Sequence, residues 1–461
     1  MINLSRIEDY RENNRIEAKK ALGGLPESIW ETYSSFSNTL GGIILLGVEE
    51  HKDRTLHPIE LPDPQALVDK FRRILADRRY VSCDVLGDDG VKTELAEGKR
   101  IVVITVPRAP RRLRPVYIGG DPFNGTYRRS GEGDYRCTKE EVSAMLRDAQ
   151  GISYDSALTD LPLSSLDKKC VQAYREMVGD GEIKSLPHED FLRAVGAAAQ
   201  SGEGVKPTVA GLLMFGKNAD ICGIFPHYFL EYRSERAENA SCAVQTGFII
   251  SSDSGLECGN VFEFYLSVRE RLVSGADGEV AAAMCEALAN CLCNADYHGR
   301  KGVIILKKSG GAVFSNPGIF PADVAAAEGG ELSDPRNRLI SRMFVLASLK
   351  QGRGGGIAGI YALWNRRGWA RPSIRESFAP ERTTFTLTFS PQKAGRTRGR
   401  ARPSGKLAAD IITFLTDNIR ADIPEIAAGL GVKQSEVKEC VRALASRGVI
   451  VADGGGYRLK S

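Results

Sequence analysis

The 461-residue chain lacks several features that would assign it at once to a class of protein. No apolar run approaches the roughly 20 residues that a membrane span needs, and Met1–Tyr10 lack the apolar stretch of a signal peptide. The ten cysteines and five histidines are scattered without any C-x-x-C pair, which argues against a zinc site or a disulfide framework. We therefore expect a cytoplasmic protein with reduced thiols and no membrane contact.

A strong net charge is also absent, because 62 basic and 58 acidic residues leave a formal charge of +4. So small an excess does not by itself indicate a polyanionic partner, and the distribution of the charges has to decide that question. No G-x-x-x-x-G-K-S/T loop occurs in the sequence, so a helicase motor is not expected. With 42% hydrophobic and 26% charged residues, the composition is that of a globular protein, and the length predicts about three to four domains.

Changes in hydrophobic pattern divide the chain into five segments. The first three alternate predicted helices and strands, which indicates a multidomain α+β protein. A stretch with six basic residues, no acidic ones and several Gly and Pro follows and predicts a flexible tether. The segments are residues 1–150, a middle α/β unit at 151–278, a third unit at 279–390, the basic linker at 391–406 and a small domain at 407–461.

Local patterns predict particular elements within these segments. The continuous apolar run Ile43–Val48, after Gly41-Gly42, predicts a strand that is buried on both faces. Thr138, with Glu141 three residues on, predicts a capping box at the start of a helix. The other predicted elements are helices at Pro26–Leu40, Pro64–Arg78 and Thr138–Ala149, and strands at Lys99–Val106, Leu212–Phe215, Tyr228–Tyr232 and Gln245–Ile250.

Acidic residues occur near the amino terminus and again after the first predicted strand. Glu12, Glu17 and Lys19 form an E-x-x-x-x-E-x-K pattern, and Glu49 and Glu50 follow the strand. Converging carboxylates are the ligands that a hard divalent cation needs, and such a metal can activate water for phosphodiester cleavage, with Lys19 holding the phosphate. From the spacing alone, ordinary solvated charges are an equally open interpretation.

Arginines and tyrosines are interleaved on Pro-rich chain after Val106. This mixture of cations and aromatic rings is typical of a phosphate-contacting edge, although a solvated loop stays open as the alternative. The candidate nucleic-acid-binding residues here are Arg108, Arg111, Arg112, Arg114, Tyr117, Tyr127, Arg128 and Arg129.

These motifs together resemble the Schlafen AlbA-type domain. The resemblance covers about residues 1–150 and rests on the E-x-x-x-x-E-x-K pattern, Phe36–Gly42, Leu46–Glu50 and the Pro115–Tyr117 and Tyr127–Gly131 segments. It implies a nucleic-acid-binding α/β head, and in some family members three acidic residues make a metal-dependent endoribonuclease that acts on structured RNA such as tRNA. By this resemblance Glu12, Glu17 and Glu49 are the candidate ligands of Mg²⁺ or Mn²⁺, and Glu49 stands where the cutting members have Asp.

The third unit resembles the GHKL (Bergerat) ATP-binding block of the RecG-related transcriptional regulators over roughly residues 150–390. Glu286 and Asn290 lie four residues apart on a predicted helix, so their side chains share a face. The resemblance implies that Glu286 positions the attacking water, that Asn290 holds Mg²⁺ against the phosphates of ATP, and that glycine amides approach those phosphates. The other candidate cofactor-binding residues are Asn294, which stands where the family often has His, Asn316 and Gly318, which replace an Asp-x-Gly-x-Gly motif, and Gly354, Gly355 and Gly356.

The last segment has the pattern of a winged helix-turn-helix. Three predicted helices are followed by two short strands around Asp453-Gly454-Gly455-Gly456, a hairpin turn. The third helix would present Lys438 and Arg442 to DNA. Glu436 and Glu439 on the same helix would repel phosphates, so a protein-interaction domain stays open as the alternative.

Three interpretations of function follow. The first is a nucleic-acid-binding transcriptional regulator with an ATP-binding core, acting on DNA or RNA. The second is a metal-dependent endonuclease, a defence or stress effector controlled by ATP, and the third is a scaffold with vestigial sites. By analogy with GHKL proteins we expect a homo-oligomer, with a dimer favoured.

Overall fold

The computed structural model describes most of the chain in two compact units, Met1–Gln392 and Lys393–Ser461. The multidomain α+β class predicted from the sequence is confirmed. No described helix has both the length and the apolar character that crossing a membrane would require. The described residues are 4–150, 153–202, 204–235, 246–252, 259–320, 324–330, 334–350, 355–378, 380–390, 404–417, 421–430, 432–446, 449–453 and 456–459.

The first part of the larger unit is a four-stranded sheet with helices and two added hairpins. The sheet has the order β1-β2-β6-β5, in which β1 runs parallel to β2 and the other neighbours are antiparallel. Strands β3 and β4 form one hairpin and β7 and β8 the other. The elements are β1 Ile16–Lys19, α1 Ile29–Asn38, β2 Gly42–Leu46, β3 Val48–Glu50, β4 Leu56–Pro58, α2 Pro64–Leu75, β5 Val91–Ala96, β6 Lys99–Val106, α3 Pro122–Gly125, β7 Tyr127–Ser130, β8 Gly133–Arg136 and α4 Lys139–Ala149.

Helix α1 packs its aromatic face into the core of this part. Trp30, Tyr33 and Phe36 are buried, and the ring of Trp30 stacks on Phe71 of α2 with a centroid distance of 4.9 Å. The polar side of α1 is buried as well, because Asn38 hydrogen bonds through its side chain to the backbone of Val116 and to the carbonyl oxygen of Tyr127. Helix α1 therefore fixes both the sheet and the β7–β8 hairpin.

The predicted strand Ile43–Val48 is wrong at its end, because Gly47 interrupts it. Gly47 has a φ of +84°, and a Cβ atom there would lie 2.7 Å from the side chain of Leu61, so glycine is required. The chain leaves the sheet at this point, and Glu49 and Glu50 lie in the β3–β4 hairpin instead. The predicted helix capped by Thr138 is confirmed as α4, with the capping box formed by Thr138 and Glu141.

The rest of the larger unit is built around a six-stranded sheet of order β12-β11-β13-β14-β16-β15. It combines strands from both the middle and the third predicted segments around a shared hydrophobic core. The elements are α5 Lys168–Met177, α6 Gly181–Ser185, α7 His188–Val195, β9 Ala198–Ser201, β10 Gly204–Pro207, α8 Val209–Phe215, α9 Asn218–Ile224, β11 Leu230–Glu235, β12 Thr246–Ser251, α10 Val261–Val273, α11 Gly278–Asn294, β13 Val303–Lys308, β14 Gly311–Pro317, α12 Val324–Gly329, α13 Arg338–Leu346, α14 Gly355–Arg366, β15 Ser373–Phe378 and β16 Glu381–Thr388.

One predicted strand of the middle segment is a helix. The prediction at Leu212–Phe215 is wrong, since these residues lie in α8. Thr208 caps this helix by accepting a hydrogen bond from the backbone nitrogen of Gly211, and all seven helical residues are buried. Such a short, uniformly apolar run carries no periodicity that distinguishes helix from strand. The strands predicted at Tyr228–Tyr232 and Gln245–Ile250 correspond to β11 and β12.

The smaller unit has the predicted order of three helices and a hairpin. Its core contains Leu407, Ile411, Val437 and Val441. Ala421, ahead of the second helix, pairs with Tyr457 and extends the hairpin. The elements are α15 Ser404–Asp417, α16 Ile423–Leu430, α17 Gln434–Ser446, β17 Ile450–Asp453 and β18 Gly456–Leu459.

Candidate functional site

The two amino-terminal glutamates are held at strand β1. Glu12 accepts a hydrogen bond from the backbone nitrogen of Ala18 at 2.9 Å. Glu17 forms an ion pair on each side, through Oε1 with Lys19 Nζ at 2.9 Å and through Oε2 with Arg129 Nη2 at 2.7 Å. The predicted group of Glu12, Glu17 and Lys19 is therefore gathered at one place, and each of these side chains has a bonded partner in the protein.

Arg129 of β7 is the centre of this arrangement. Its side chain is 1% exposed and forms a second ion pair with Asp134 Oδ1 at 3.0 Å. It also donates to the carbonyl oxygen of Asn13 and lies over the ring of Phe36 at 5.1 Å. Thr32 of α1 donates to Asp134 Oδ2 at 2.7 Å. The network joins β1, α1 and the β7–β8 hairpin, which indicates a structural role for Arg129.

Glu50, and not Glu49, is the carboxylate of the β3–β4 hairpin that faces this group. Burial raises the pKa of Glu12, and the negative charges of Glu17 and Glu50 raise it further, against the opposing effects of the Ala18 hydrogen bond and Arg129. Glu49 forms an ion pair with Lys20 instead, and a hydrogen bond from that lysine lowers the pKa of Glu49. Neighbouring residues of a strand point to opposite faces, so only one of the two glutamates can face Glu12.

The predicted metal set of Glu12, Glu17 and Glu49 is therefore not brought together. Within the described part of the chain, no three His, Cys, Asp or Glu side chains are grouped closely enough to hold a metal ion. The sequence indicated both glutamates at positions 49 and 50, but it could not show which of them faces the first two acids, because Gly47 changes the direction of the chain between β2 and β3.

The arginine-rich segment after β6 is packed against the rest of the larger unit. Arg108 forms two charged hydrogen bonds to Glu376 of β15, at 2.6 and 2.8 Å. Arg114 is 4% exposed, and its burial lowers the pKa of its guanidinium to about 10. Arg111 lies near Asp334, with 9% of its side chain exposed. Arg108, Arg111 and Arg114 therefore do not form an exposed edge, because their side chains are largely buried in contacts with distant segments, and phosphate contact by this segment stays a prediction. Arg112 is exposed.

The remaining candidates of this group also have protein partners. Arg128 forms an ion pair with Glu141 at 3.0 Å. Tyr127 is 8% exposed, and its hydroxyl donates to Glu31 at 3.1 Å. The backbone of Tyr117 pairs with Ser82. These residues position the β7–β8 hairpin.

A set of exposed basic side chains that the sequence did not single out lies around the hairpin tips. Lys20 follows β1, Lys52 and Arg54 lie in the turn between β3 and β4, and Arg11 precedes β1. Arg54 forms an ion pair with Glu132 at 2.6 Å, which joins the tips of the two hairpins. Hydrogen bonds from Thr55 together with the charge of Arg11 lower the pKa of Asp53 in the same turn. We call Arg11, Lys20, Lys52 and Arg54 the hairpin surface.

Comparison with known families identifies the part of the chain that carries this geometry. Residues 12–138 match the family described as Schlafen, AlbA_2. These residues form a Schlafen AlbA_2 domain. Residues 143–231 match a family described as a domain of unknown function, DUF8451. The comparison with curated proteins gives no match.

Several solved structures are similar to the chain or to a part of it, two of which follow. The DIP2311 protein from Corynebacterium diphtheriae is 17% identical, with a TM-score of 0.41, over 98% of this chain and 93% of that one. The N-terminal domain of an ATP-dependent DNA helicase RecG-related protein from Nitrosomonas europaea is 30% identical, with a TM-score of 0.24, over 30% of this chain and 95% of that one. Both TM-scores are low, so neither likeness supports a conclusion about activity.

Beyond the AlbA_2 domain, the predicted nucleotide site is centred on Glu286 of α11. Its Oε1 accepts a hydrogen bond from Asn290 Nδ2 at 3.1 Å and lies 3.7 Å from Lys350 Nζ. A Cβ atom on Gly356 would lie 2.2 Å from the same oxygen. The carboxylate of Glu286 therefore lies against the first turn of α14, at the helix end whose partial charge is positive. Gly355 begins α14, and Gly354 lies outside the described residues.

The other residues of that predicted site are bonded to one another and to Arg336. Asn294 accepts from the backbone nitrogen of Arg336 at 3.2 Å, and its carbonyl oxygen accepts from Nη1 at 2.6 Å. Asn316 donates to the carbonyl oxygen of Pro317 at 3.0 Å. Gly318, with a φ of +88°, packs on the guanidinium of Arg336. These contacts account for the residues structurally, and ATP binding, with Asn290 as a metal ligand, stays a prediction.

In the smaller unit, both predicted DNA-contacting residues are at the surface. Lys438 and Arg442 are exposed on α17, and Gln434 one turn earlier is exposed as well. Residues four apart on a helix share a face, so the three side chains form one polar, positively charged stripe.

Proposed function

We propose that this protein is a nucleic-acid-binding regulator whose AlbA_2 domain binds nucleic acid without cutting it. The observation that carries the proposal is the match of residues 12–138 to the Schlafen AlbA_2 family, because nucleic-acid binding is the property this family suggests. The ion pairs of Glu17 and Glu49 support the part of the proposal that excludes cleavage.

A metal-dependent nuclease needs two or three carboxylates that converge on one cation. Here Glu17 has Lys19 and Arg129 as partners, and Glu49 has Lys20. To bind a metal, Glu17 would have to share its carboxylate between the cation and its two existing partners, and the positive charges of Lys19 and Arg129 would repel the cation. This arrangement favours a domain in which Glu17 and Glu49 stabilise the fold through their ion pairs.

The hairpin surface is the part of the AlbA_2 domain that we propose contacts phosphates. Lys20 and Arg54 are 59% and 65% exposed, and both lie on hairpins or strand ends next to the acidic group. Exposed lysine and arginine side chains bind the phosphate backbone and make affinity depend on salt. The buried arginines at 108, 111 and 114 cannot do this in the same conformation.

We further propose that the smaller unit is a winged helix-turn-helix that binds DNA. Three helices followed by a hairpin, together with the exposed stripe of Gln434, Lys438 and Arg442, support this assignment. A full-length protein is expected to bind duplex DNA more tightly than a variant that lacks residues 391–461. Equal affinities would contradict the assignment.

The direct test of the proposed function is a binding and cleavage assay on the full chain. Labelled tRNA, single-stranded RNA and duplex DNA are each incubated with the protein in Mg²⁺, Mn²⁺ or EDTA. We expect saturable binding that weakens as salt rises and no new products in any metal. Metal-dependent products that disappear in Glu17→Gln would contradict the proposal and establish a nuclease.

The nuclease remains the second candidate because one observation favours it. The charges of Glu17 and Glu50 both raise the pKa of Glu12. These described carboxylates do not form a metal-binding group in this conformation, but a cation that drew them together would relieve their repulsion. In this interpretation Glu50 takes the place predicted for Glu49. Cleavage abolished by Glu50→Gln but not by Glu49→Gln would distinguish this arrangement from the one predicted from the sequence.

Nucleotide binding by a GHKL-like core and dimer formation also belong to the proposal. Mg²⁺-ATP is expected to raise the melting temperature of the wild-type protein but not that of Asn290→Ala, because Asn290 is the proposed metal ligand. Analytical ultracentrifugation is expected to give a dimer. A melting temperature that does not respond to ATP would indicate that the core is a scaffold that does not bind nucleotide.

A further inference from the structure

A small pocket of the larger unit is lined by residues from the first, middle and third segments of the chain. Its polar lining consists mainly of charged groups from segments far apart in the sequence: Arg111, Arg147, Asp148, Asp296, His298 and Arg336. The residues of the predicted nucleotide site do not line it. Three arginines against two aspartates leave the pocket with an excess of one positive charge.

Two of the arginines pair with aspartates that also line the pocket. Arg336 forms a bidentate pair with Asp148, at 2.9 and 2.7 Å. Arg147 forms an ion pair with Asp296 at 3.3 Å. The charges cancel within each pair, so the remaining positive charge of the lining is that of Arg111, whose own carboxylate partner, Asp334, lies outside the lining.

Arg111 is buried with donors unused. Its side chain is 9% exposed, and its Nη2 lies 3.7 Å from Asp334, an aspartate that also pairs with Arg338 at 3.0 Å. Among the described residues, none accepts a hydrogen bond from its Nε or Nη1 atoms, which are both fully buried. Buried guanidinium donors are expensive to leave unpaired, and a native structure with such a group calls for a ligand or water to satisfy it.

His298 adds a donor beside Arg111 in the same lining. Its ring is held edge-on by Tyr154 and Phe225, with centroid distances of 4.6 and 4.9 Å. In the part of the chain that is described, its buried Nε2 has no hydrogen-bond partner. Burial and the charge of Arg147 lower the pKa of the imidazole, so a neutral ring with a hydrogen on Nε2 would donate without adding charge.

We propose that this pocket binds a small tetrahedral oxyanion such as inorganic phosphate, held by Arg111 and His298. The pocket has room for about two or three waters, which suits one small oxyanion and is too small for a nucleotide. A guanidinium presents its hydrogens in a planar fork that matches two oxygens of such an ion. Because the lining comes from three segments, the bound anion would stabilise their packing. The site is separate from the proposed nucleic-acid contacts.

The test uses the full chain and inorganic phosphate as the probe. Isothermal titration calorimetry at constant ionic strength is expected to give saturable phosphate binding for the wild-type protein, and the melting temperature is expected to rise with phosphate more than with chloride. Arg111→Gln is expected to weaken phosphate binding at least about tenfold. Arg112→Gln is the matched control, since this neighbouring arginine is exposed, and it is expected to bind phosphate like the wild type.

Two results would overturn the inference. One is a wild-type protein that shows no saturable response to phosphate beyond that to chloride. The other is equal phosphate affinity in Arg111→Gln and Arg112→Gln. If Arg111→Gln does not fold, Arg111→Lys replaces it, because lysine keeps the positive charge but lacks the planar fork of donors. Its phosphate affinity is then compared with that of Arg112→Lys, and the same tenfold difference is expected.

Discussion

Arg129 is the residue that connects the acidic group to the core of the AlbA_2 domain. Its guanidinium is 1% exposed and pairs with both Glu17 and Asp134, while its face covers the ring of Phe36. The two carboxylates belong to different elements, β1 and β8. Removing the arginine would therefore separate these elements as well as leave two negative charges close together.

We predict that Arg129→Ala lowers the free energy of unfolding of the larger unit by about 3–5 kcal/mol, the cost of breaking a buried ion pair from one side. Urea denaturation followed by circular dichroism measures this change. Arg136→Ala, an exposed arginine on the adjacent strand, is the control and is expected to change stability little. Equal effects of the two substitutions would show that the network does not hold the domain.

Glu381, at the start of β16, makes the stability of the larger unit depend on pH. Burial, together with the negative charges of Asp148 and Asp296, raises the pKa of its carboxyl from an ordinary value of 4.5 to about 7, against the opposing effects of Arg336 and Arg114. The folded protein therefore binds this proton more tightly than the unfolded chain. Its contribution to stability is complete below pH 4.5 and is lost as the pH rises through 7.

We predict that the wild-type protein loses about 3 kcal/mol of stability between pH 4.5 and pH 8 relative to Glu381→Gln, whose neutral amide does not titrate. Melting temperatures of the two proteins are measured across this pH range. Because all other groups titrate in both proteins, the difference between the two pH profiles reports the titration of Glu381. Parallel pH profiles would mean that Glu381 is ionised in the folded protein.

At the scale of elements, helix α14 offers a matched pair of glycines. A Cβ atom on Gly356 would lie 2.2 Å from Glu286 Oε1, whereas a Cβ atom on Gly359 would have no atom within 4 Å. The first glycine is thus required by the close approach of a carboxylate to the helix. The second is a glycine in a helix interior with no such requirement.

We predict that Gly356→Ala destabilises the larger unit by about 1–3 kcal/mol, as overpacking does, and that Gly359→Ala stabilises it by about 0.4–1 kcal/mol by restricting the unfolded chain. Thermal unfolding of both variants measures the two changes. We expect the two substitutions to change the melting temperature in opposite directions. A stabilising Gly356→Ala would mean that Glu286 does not lie against this helix.

Local patterns predicted several elements correctly, and the failures have physical causes. The capping box at Thr138 and the strand Lys99–Val106 depend on neighbouring residues alone, and both are confirmed. The strand predicted at Leu212–Phe215 fails because a fully buried helix has no polar face to reveal its period. The arginine segment fails for another reason, since the partner of Arg108 lies 268 residues further along the chain. Only tertiary contacts determine whether such a side chain is exposed.

At the scale of the molecule, the AlbA_2 domain is packed against the rest of the larger unit through ion pairs. Arg108 pairs with Glu376, and Asp148 with Arg336. The first of these pairs occupies Arg108, whose charge the sequence suggested for phosphate binding. The hairpin surface, in contrast, presents exposed cations beside the acidic group.

The central claim is that the AlbA_2 domain binds nucleic acid through the hairpin surface. The most direct measurement is fluorescence anisotropy of labelled RNA and DNA with the full chain carrying Lys20→Glu, Lys52→Glu and Arg54→Glu, repeated over a range of salt. The control reverses two exposed charges on α2, Lys70→Glu and Arg73→Glu. We predict weaker binding for the first variant, with a salt slope reduced by about 0.7–0.9 for each phosphate contact removed, and no change for the control. Affinity and slope equal to the wild type in the first variant would contradict the claim.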